Sequence, residues 1–212
     1  MTERTSREAQ RDRVLEAALM HVPFDGWSRR TLSNAAADAG VDPGLARRLF
    51  PRGGDDLLAH FERWADRQML ARCPPDALAT MRVHERIRAL VRARLEVMTP
   101  HREAIRRAMA ARLLPTLGLE ATTATWRTLD TIWRAAGDQS RDYNYYTKRA
   151  TLGAVWTATF LYWLEDHSPD LEATFAFLDR RLADTMQITK VRTRFEDAAK
   201  GLSRFLPLPT RS

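Results

Sequence analysis

The residues best suited to recognition lie in a polar, aromatic-rich segment from Asp138 to Lys148, together with Arg149 directly after it. The segment places three tyrosines beside two cations: Tyr143, Tyr145, Tyr146, Lys148 and Arg149. Tyrosine and arginine are enriched at the energetic centres of protein interfaces, so these residues indicate a candidate partner-binding patch. The alternative is an ordinary first helical turn whose tyrosines pack on the protein's own core.

Motifs for catalysis or metal binding are missing from the sequence. The five histidines show no metal-ligand spacing, and neither HExxH nor Glu-x-x-His occurs. No phosphate-binding GxxxxGK[ST] motif is present, and no GxGxxG follows a predicted strand. The single cysteine, Cys73, precedes Pro74 at a predicted helix end, where we do not expect a nucleophile. We therefore expect no catalytic residues, no metal and no cofactor, and no enzyme activity.

The net charge and the cysteine content limit the classes of partner and the cellular compartment that we expect for the protein. The formal net charge of +7 favours nucleic acid, anionic lipid or an acidic protein as a partner. A lone cysteine cannot form an intrachain disulfide, which indicates a reducing compartment. The first twenty residues contain Glu3, Glu8 and Asp12 and no apolar stretch, unlike a secretory signal. The sequence predicts a cytoplasmic protein.

The N-terminal third of the chain predicts a helix-turn-helix. Apolar residues recur at helical spacing from Ser6 to Val22, and we expect Pro23 to end this first helix. A second helix is predicted from an N-cap at Ser28 to Ala39, with Gly40 as its C-terminal stop. A short third helix follows after a tight turn, which is the spacing of a helix-turn-helix.

The third and fourth helices complete a predicted N-terminal domain. Asp42 caps the third helix, Pro43 takes its first position, and Phe50-Pro51 closes it. The fourth helix ends before Pro74-Pro75, which predicts a domain boundary there. The sequence thus predicts a helix-turn-helix domain over residues 1–73.

The remaining chain predicts a larger helical domain over residues 76–188. Helices are predicted over 82–98, 102–114 and 120–136, with breaks at Pro100, Pro115 and Gly118. No segment alternates with the period of a strand, so the predicted fold class is all-α.

A central helix is predicted from Leu152 to Leu164. It is apolar on every face except at Thr157 and Thr159, which predicts a helix surrounded by protein. It is too short to span a membrane. A further helix is predicted to start at Ser168-Pro169-Asp170, with its N-cap and a proline at the first position.

The last segment, residues 189–212, predicts a basic amphipathic helix. One face of this helix is an apolar stripe, and the other faces carry basic residues. We expect residues of both kinds to touch an anionic membrane surface: Val191, Arg192, Arg194, Phe195, Lys200, Leu202, Arg204 and Phe205. Burial of the four apolar residues is worth about 6 to 12 kcal/mol, whereas ordering the segment costs about 1 to 2 kcal/mol per residue. The balance predicts reversible surface binding. In the alternative interpretation, the apolar stripe of this segment packs against the protein's own dimer.

Two resemblances emerge from these motifs. The first four helices resemble the DNA-binding half of TetR-type regulators, from Gly40-Val41 through Leu49-Phe50-Pro51 to Asp56-Leu57-Leu58. Three phrases resemble the lipid-binding, TetR-like accessory proteins of ubiquinone (coenzyme Q) biosynthesis, the ninth in the numbered yeast series. They are HVPFDGWS at 21–28, AGDQSRDYNYYTKRA at 136–150 and SPDLEATFAFLDRRLADTM at 168–186. The similarity covers about residues 14–186.

The resemblance implies a homodimer without enzyme activity. Such proteins bind an isoprenoid quinone precursor or phospholipid between their C-terminal helices and present it to the di-iron demethoxyubiquinone hydroxylase, while a terminal amphipathic helix docks on the inner membrane. The residues that match the partner-binding patch are Asp138, Tyr145, Tyr146 and Arg149. With the resemblance, the interface interpretation is favoured over the packed helical turn.

The resemblance also implies a lipid cavity. Soft methionines and large aromatics suit an adaptable apolar site, and the residues that we expect to line it are Leu95, Met98, Met109, Leu113, Trp133, Trp156 and Phe160. Each of them is equally compatible with an ordinary core.

A TetR-type transcriptional regulator is the alternative function. Arg29, Arg30, Arg47 and Arg48 suit phosphate contacts. The third helix, however, opens with Asp42 and carries no Asn, Gln, Ser or Thr after its cap to read base edges. Regulators also usually show a tyrosine where Arg47 stands. We expect salt-sensitive DNA retention without sequence specificity.

Overall fold

A computed structural model describes residues 2–112, 115–140 and 143–185. Every regular element in these ranges is a helix, and the all-α prediction is confirmed. The α-helices are α1 (Thr2–Asp25), α2 (Arg29–Asp38), α3 (Pro43–Leu49), α4 (Gly54–Arg72), α5 (Pro75–Ala79), α6 (Val83–Met98), α7 (Arg102–Arg112), α8 (Pro115–Ala135), α9 (Tyr143–Leu164) and α10 (residues 172–185).

The first four helices close around one hydrophobic core. It is formed by buried apolar residues of these helices and of the turns between them: Val14, Ala18, Leu32, Ala35, Ala36, Val41, Ala46, Leu49, Phe50 and Leu57. The predicted caps are confirmed, because Ser28 Oγ accepts the Thr31 N–H at 3.1 Å and Asp42 Oδ1 accepts the Leu45 N–H at 2.8 Å. Gly40, with φ of +62°, makes the tight turn between α2 and α3.

The start of α4 depends on a close approach between backbones. A Cβ atom at Gly54 would lie 2.1 Å from the carbonyl oxygen of Trp27, so only glycine fits there. This contact holds the beginning of α4 against the chain that precedes α2. It thereby fixes α4 beside the helix-turn-helix.

Two predicted helix boundaries are wrong. The effect of a proline or a glycine on a helix depends on where in the helix it lies. The first helix continues through Pro23 to Asp25, and it ends where the Gly26 N–H donates to Val22 O at 2.9 Å. A proline in the last turn removes one hydrogen bond, which the remaining turns of a long helix tolerate. In α8, Pro115 is the first residue and the helix passes Gly118 without a break. Glycine in a helix costs only about 1 kcal/mol relative to alanine.

The region after Pro74 contains a helix that the sequence reading missed. The five residues of α5, Pro75–Ala79, follow the predicted boundary directly and bury Leu78. Beyond it, α6 and α8 both pack against α4. The backbone divides into two compact units with their boundary between Trp156 and Thr157, inside α9. The predicted division into residues 1–73, 76–188 and 189–212 stays a prediction.

The start of α10 also differs from the prediction. Asp170 and Leu171 have φ of 49° and 59°, so the helix begins at residue 172 rather than at Pro169. Asp166 takes over part of the capping, because its carboxylate accepts the Ser168 N–H at 2.8 Å and the Thr174 N–H at 2.9 Å. Burial acts to raise the pKa of Asp166, but hydrogen bonds from Thr174 and Ser168 lower it to about 2.

Candidate functional site

The predicted partner-binding residues meet where α8, the loop after it and the start of α9 come together. Arg149 is the centre of this arrangement, and its side chain is only 1% exposed. Its Nε donates to Asp130 Oδ1 at 2.8 Å, and its Nη1 donates to Asp138 Oδ2 at 3.1 Å and to the backbone oxygen of Tyr145 at 3.1 Å. One buried cation thus ties α9 to α8 and to the loop.

A second cation completes the neutralisation of Asp138. Lys148 Nζ donates to Asp138 Oδ1 at 2.6 Å and to Ser140 Oγ at 2.8 Å, and it lies 5.5 Å from the centre of the Trp133 ring. Burial acts to raise the pKa of Asp138, yet the hydrogen bonds from Lys148, Ser140 and Arg149 hold that pKa well below its usual range. The carboxylate is therefore ionised at neutral pH.

Asp130 is the other carboxylate of this network. Burial acts to raise its pKa, but hydrogen bonds from Arg149, Tyr145 and Arg134 lower it overall. Arg134 Nε donates to Asp130 Oδ2 at 2.7 Å from the exposed side of α8. Two carboxylates and three cations therefore form one connected set, which we call the Arg149 network: Arg149, Asp130, Asp138, Lys148 and Arg134.

Three aromatic rings lie beside the Arg149 network. The guanidinium carbon of Arg149 is 3.5 Å from the centre of the Tyr145 ring, a close cation–π contact. Tyr145 meets Tyr146 edge-on at 5.0 Å, and Trp126 lies 6.4 Å and 6.2 Å from these two rings. We call Trp126, Tyr145 and Tyr146 the aromatic patch. Tyr146 is 62% exposed, so it presents the patch to solvent.

The structure brings the four predicted partner residues into one continuous contact chain, but it gives them different exposures. Asp138 and Arg149 have side chains 4% and 1% exposed, so they lie behind the surface and hold Tyr145 in position. Tyr145 and Tyr146 are the two that can reach a partner. Sequence reasoning missed Trp126, although its spacing with Asp130 and Trp133 on α8 places the three on one helical face.

The residues predicted to line a lipid cavity are distributed over four helices. Leu95, Met98 and Trp156 are buried, whereas Met109, Trp133 and Phe160 are half-buried. Leu113 lies outside the described residues. The side chain of Trp133 is also fixed by a hydrogen bond, because its Nε1 donates to the backbone oxygen of Lys148 at 3.1 Å. Burial suits a core and a cavity wall equally, so the lipid-binding assignment stays a prediction.

A second buried polar cluster joins α4, α6 and α8. Arg94 on α6, whose side chain is 5% exposed, pairs with Asp66 on α4 at 2.7 Å. Thr128 on α8 donates to Asp66 Oδ1 at 3.0 Å, and Arg127 Nε lies 3.6 Å from Asp66 Oδ2. Arg127 Nη2 lies 3.8 Å from Glu62 Oε2. We call these five residues the Arg94 cluster; the sequence reading did not predict it.

Among the residues that the structure describes, one group of side chains on α1 and α4 resembles a metal site. Ligand atoms of Glu8, Asp12 and His60 lie within 4.8 Å of one another, whereas the sequence predicted no metal. Arg67 donates to Glu8 at 2.7 Å and to Asp12 at 2.6 Å, and His60 bonds Asp12 at 2.7 Å. The guanidinium of Arg67 thus already supplies the cation that both carboxylates require.

The structure describes the residues predicted to contact DNA but not those predicted to contact a membrane. Residues 191–205, which carry the predicted membrane contacts, lie outside the described residues. Among the helices that are described, none has the length and apolarity needed to cross a membrane. Arg29, Arg30, Arg47 and Arg48 are all exposed on α2 and α3, where phosphate contacts would require them.

The comparisons with known proteins converge on one family. The COQ9 family model matches residues 119–189, a range that includes every residue of the Arg149 network and of the aromatic patch. The ubiquinone biosynthesis proteins COQ9, mitochondrial, of Xenopus tropicalis and Drosophila melanogaster are each 31% identical over 93% of this chain. The human protein of that name is 28% identical over 93% of this chain.

The matched relatives are longer proteins. The chain spans 65% of the Xenopus tropicalis protein, 64% of the human protein and 61% of the Drosophila protein, which is just under two thirds of their length.

The fold is also that of a known structure. The crystal structure of a TetR transcriptional regulator from Nitrosomonas europaea superposes with a TM-score of 0.68 at 24% identity, over 82% of this chain and 95% of that one. The predicted TetR-like architecture is confirmed. At this identity the likeness shows the fold alone. The chain is thus similar to the COQ9 proteins in sequence, matches the COQ9 family model over residues 119–189, and has a TetR-like fold.

Proposed function

We propose that the protein is a non-enzymatic accessory protein of ubiquinone biosynthesis. It binds an isoprenoid quinone precursor or phospholipid and presents it to the demethoxyubiquinone hydroxylase at the membrane. The observation that supports the proposal most directly is the aromatic patch, which lies beside the Arg149 network. Both lie within the range that the COQ9 family model matches. The relatives' shared name, ubiquinone biosynthesis protein, supplies the pathway.

The aromatic patch has the physical properties of a protein-binding anchor. Tyr146 offers a large, amphipathic surface that is 62% exposed, and its neighbour Tyr145 is held by Arg149 at 3.5 Å. A ring that is already fixed loses little conformational entropy when a partner covers it. Exposed aromatics supported in this way are typical of hot spots. The patch is therefore assigned to the hydroxylase.

Homodimerisation is part of the same proposal. The central helix was predicted to be surrounded, yet within the chain Ala154, Thr157 and Leu161 on α9 are exposed, and Leu161 is 51% exposed. Their spacing places them on one helical face. A second copy of the chain would cover this face. Residues 189–212 would then bring each dimer to an anionic membrane surface.

The first experiment extracts the purified full chain with organic solvent and identifies the lipid by mass spectrometry. We expect an isoprenoid quinone or abundant phospholipid, and we expect Trp156→Glu to lose it while the exposed control Tyr162→Ala keeps it. Protein that carries no lipid, and takes up no added quinone or phospholipid, would contradict the lipid part of the proposal.

A separate experiment tests presentation to the hydroxylase. Purified demethoxyubiquinone hydroxylase is immobilised, and retention of the full chain is measured in the presence of vesicles that contain the quinone precursor. We expect retention together with increased turnover of the precursor. No retention at any vesicle composition would overturn the presentation role, even for a protein that binds lipid.

A further inference from the structure

The contact between α1 and α4 is lined by charged side chains. Arg67 on α4 donates to Glu8 at 2.7 Å and to Asp12 at 2.6 Å, and His60 on α4 bonds Asp12 at 2.7 Å. Arg63 follows His60 by three residues and precedes Arg67 by four, so the three share one face of α4. Arg63 therefore lies at the contact with α1.

Arg11 belongs to the α1 side of the same contact. It directly precedes Asp12 and lies one turn after Glu8. Its guanidinium carbon is 4.7 Å from the centre of the Phe50 ring, which is a cation–π contact. Phe50 is buried and meets the His60 ring edge-on at 5.8 Å. The buried ring thus holds Arg11 beside the charged face of α4.

In the part of the chain that the structure describes, neither guanidinium group, of Arg11 or of Arg63, forms an ion pair or a hydrogen bond. Both side chains are half-buried. Among the nitrogens of these two described groups, Arg11 Nε is the one that is buried, so the others are open to a ligand from solvent. The two arginines are therefore partly withdrawn from water and still accessible.

The surrounding charges favour an anion at this place. Burial lowers the pKa of both arginines, and the next cause is the positive charge of Arg63 for Arg11 and of Arg127 for Arg63. The carboxylates of Glu8 and Asp56 act in the opposite direction, but each already pairs with another arginine, at 2.7 Å and 3.0 Å. Like charges held together in a half-buried position are stabilised by a bound anion.

The chemistry of two guanidinium groups indicates which anion fits. Each group presents N–H donors in a planar fork that matches the oxygens of a phosphate. A terminal phosphate offers three oxygens and a charge of about −1.5 to −2 at neutral pH, so it can accept from two arginines at once. A phosphodiester, as in a phospholipid or a nucleic acid, has fewer free oxygens and a single charge. Two neighbouring arginines therefore favour a terminal phosphate.

We propose that Arg11 and Arg63 bind the terminal phosphate of a soluble phosphate monoester at the contact between α1 and α4. The phosphate oxygens accept from both side chains and bridge the two helices. The site uses none of the residues assigned above to lipid, hydroxylase or membrane binding. It is thus a second ligand site, and it does not depend on the lipid-binding proposal.

The test compares the full-length native protein with Arg11→Met, Arg63→Met and the control Arg72→Met. Arg72 also lies on α4, but it is 51% exposed and its Nη1 is 3.7 Å from a carboxylate oxygen of Glu96. Each protein is titrated calorimetrically, at constant ionic strength, with glycerol phosphate as the monoester and with glycerophosphoglycerol as the diester. We expect the monoester affinity to fall at least about ten-fold in Arg11→Met and Arg63→Met and to stay unchanged in Arg72→Met.

The titrations can overturn the proposal in different ways. No binding of glycerol phosphate by the native protein, or equal affinity in all four proteins, would show that the two arginines are not a phosphate site. Equal affinity of the native protein for the diester and the monoester would instead assign the pair to a phosphodiester, such as a lipid headgroup or a nucleic acid.

A second measurement needs no variant and so does not depend on whether each variant folds. Phenylglyoxal modifies accessible arginines of the native protein, and mass spectrometry measures the modified fraction at each position. We expect glycerol phosphate to protect Arg11 and Arg63 while Arg72 is modified to the same extent as before. Unchanged modification of Arg11 and Arg63 in the presence of glycerol phosphate would contradict the proposal.

Discussion

The guanidinium carbon of Arg149 lies 3.5 Å from the centre of the Tyr145 ring, while the same side chain pairs with Asp130 at 2.7 Å. One side chain therefore links a half-buried carboxylate of α8 to an aromatic ring of α9. This pairing explains why a residue that is 1% exposed belongs to a surface site: it positions the aromatic patch rather than touching the partner.

Replacing Arg149 with methionine is expected to destabilise the fold by about 3 kcal/mol or more. The change removes one partner of a buried ion pair and leaves Asp130 and Asp138 with less compensation. Urea unfolding measures the free-energy difference. The matched control is Arg134→Met, because Arg134 also pairs with Asp130 but is 70% exposed, and its loss is expected to cost under about 1 kcal/mol. Equal effects of the two variants would show that the Arg149 network is not a buried support.

Replacing Tyr146 with alanine is expected to leave stability within about 1 kcal/mol of the native protein, because the ring is 62% exposed. Binding to the hydroxylase should weaken about 30-fold or more, as for a hot-spot residue worth about 2 kcal/mol. Surface plasmon resonance measures the affinity. Tyr162→Ala serves as the control, since Tyr162 is 41% exposed on the same helix and stacks on Phe177. A hydroxylase affinity that is unchanged by Tyr146→Ala would remove the patch from the interface.

The cap of α10 is expected to make stability sensitive to acid. The folded pKa of Asp166 is lowered to about 2, below its value in the unfolded chain, so the unfolded state binds the proton first as pH falls. The contribution of Asp166 is therefore complete above about pH 5 and disappears as pH falls towards 2. It is worth about 2 kcal/mol at neutral pH.

The measurement for Asp166 is urea unfolding of the native protein and of Asp166→Asn between pH 2 and pH 7. We expect the variant to be less stable at neutral pH and the difference to shrink towards pH 2. Glu172→Gln is the control, because Glu172 is exposed just inside α10. A stability difference that does not change with pH would show that Asp166 is not ionised in its capping role.

Deleting residues 190–212 is expected to leave the proposed dimer folded and to abolish co-sedimentation with anionic liposomes. The reason is that the apolar stripe and the basic residues of this segment are predicted to bind the lipid surface together. Sedimentation with zwitterionic liposomes, and at high salt, separates the electrostatic part. Sedimentation of the truncated protein at the native level would contradict the membrane assignment of this segment.

Several elements could be predicted from the sequence because they depend on interactions between residues that are close in the chain. Ser28, Asp42 and Gly40 act on atoms within five residues of themselves, so the caps and the turn of the helix-turn-helix follow from residue type and spacing. Helical periodicity likewise predicted the apolar faces of α1 to α4. The two tyrosines of the aromatic patch were recognised because they are adjacent in the chain, whereas Trp126, nineteen residues before Tyr145, was missed.

Tertiary structure decided the features that depend on distant residues. The Arg94 cluster joins Asp66, Arg94 and Thr128 across three helices, and no periodicity of a single helix marks such a pairing. Whether Arg149 faces solvent or the interior depends on Asp130, nineteen residues earlier. The sequence by itself determined most of the helices, the caps of α2 and α3, and the likeness to the COQ9 proteins. Only packing decided which charges are buried, because burial is set by neighbours that lie far apart in the chain.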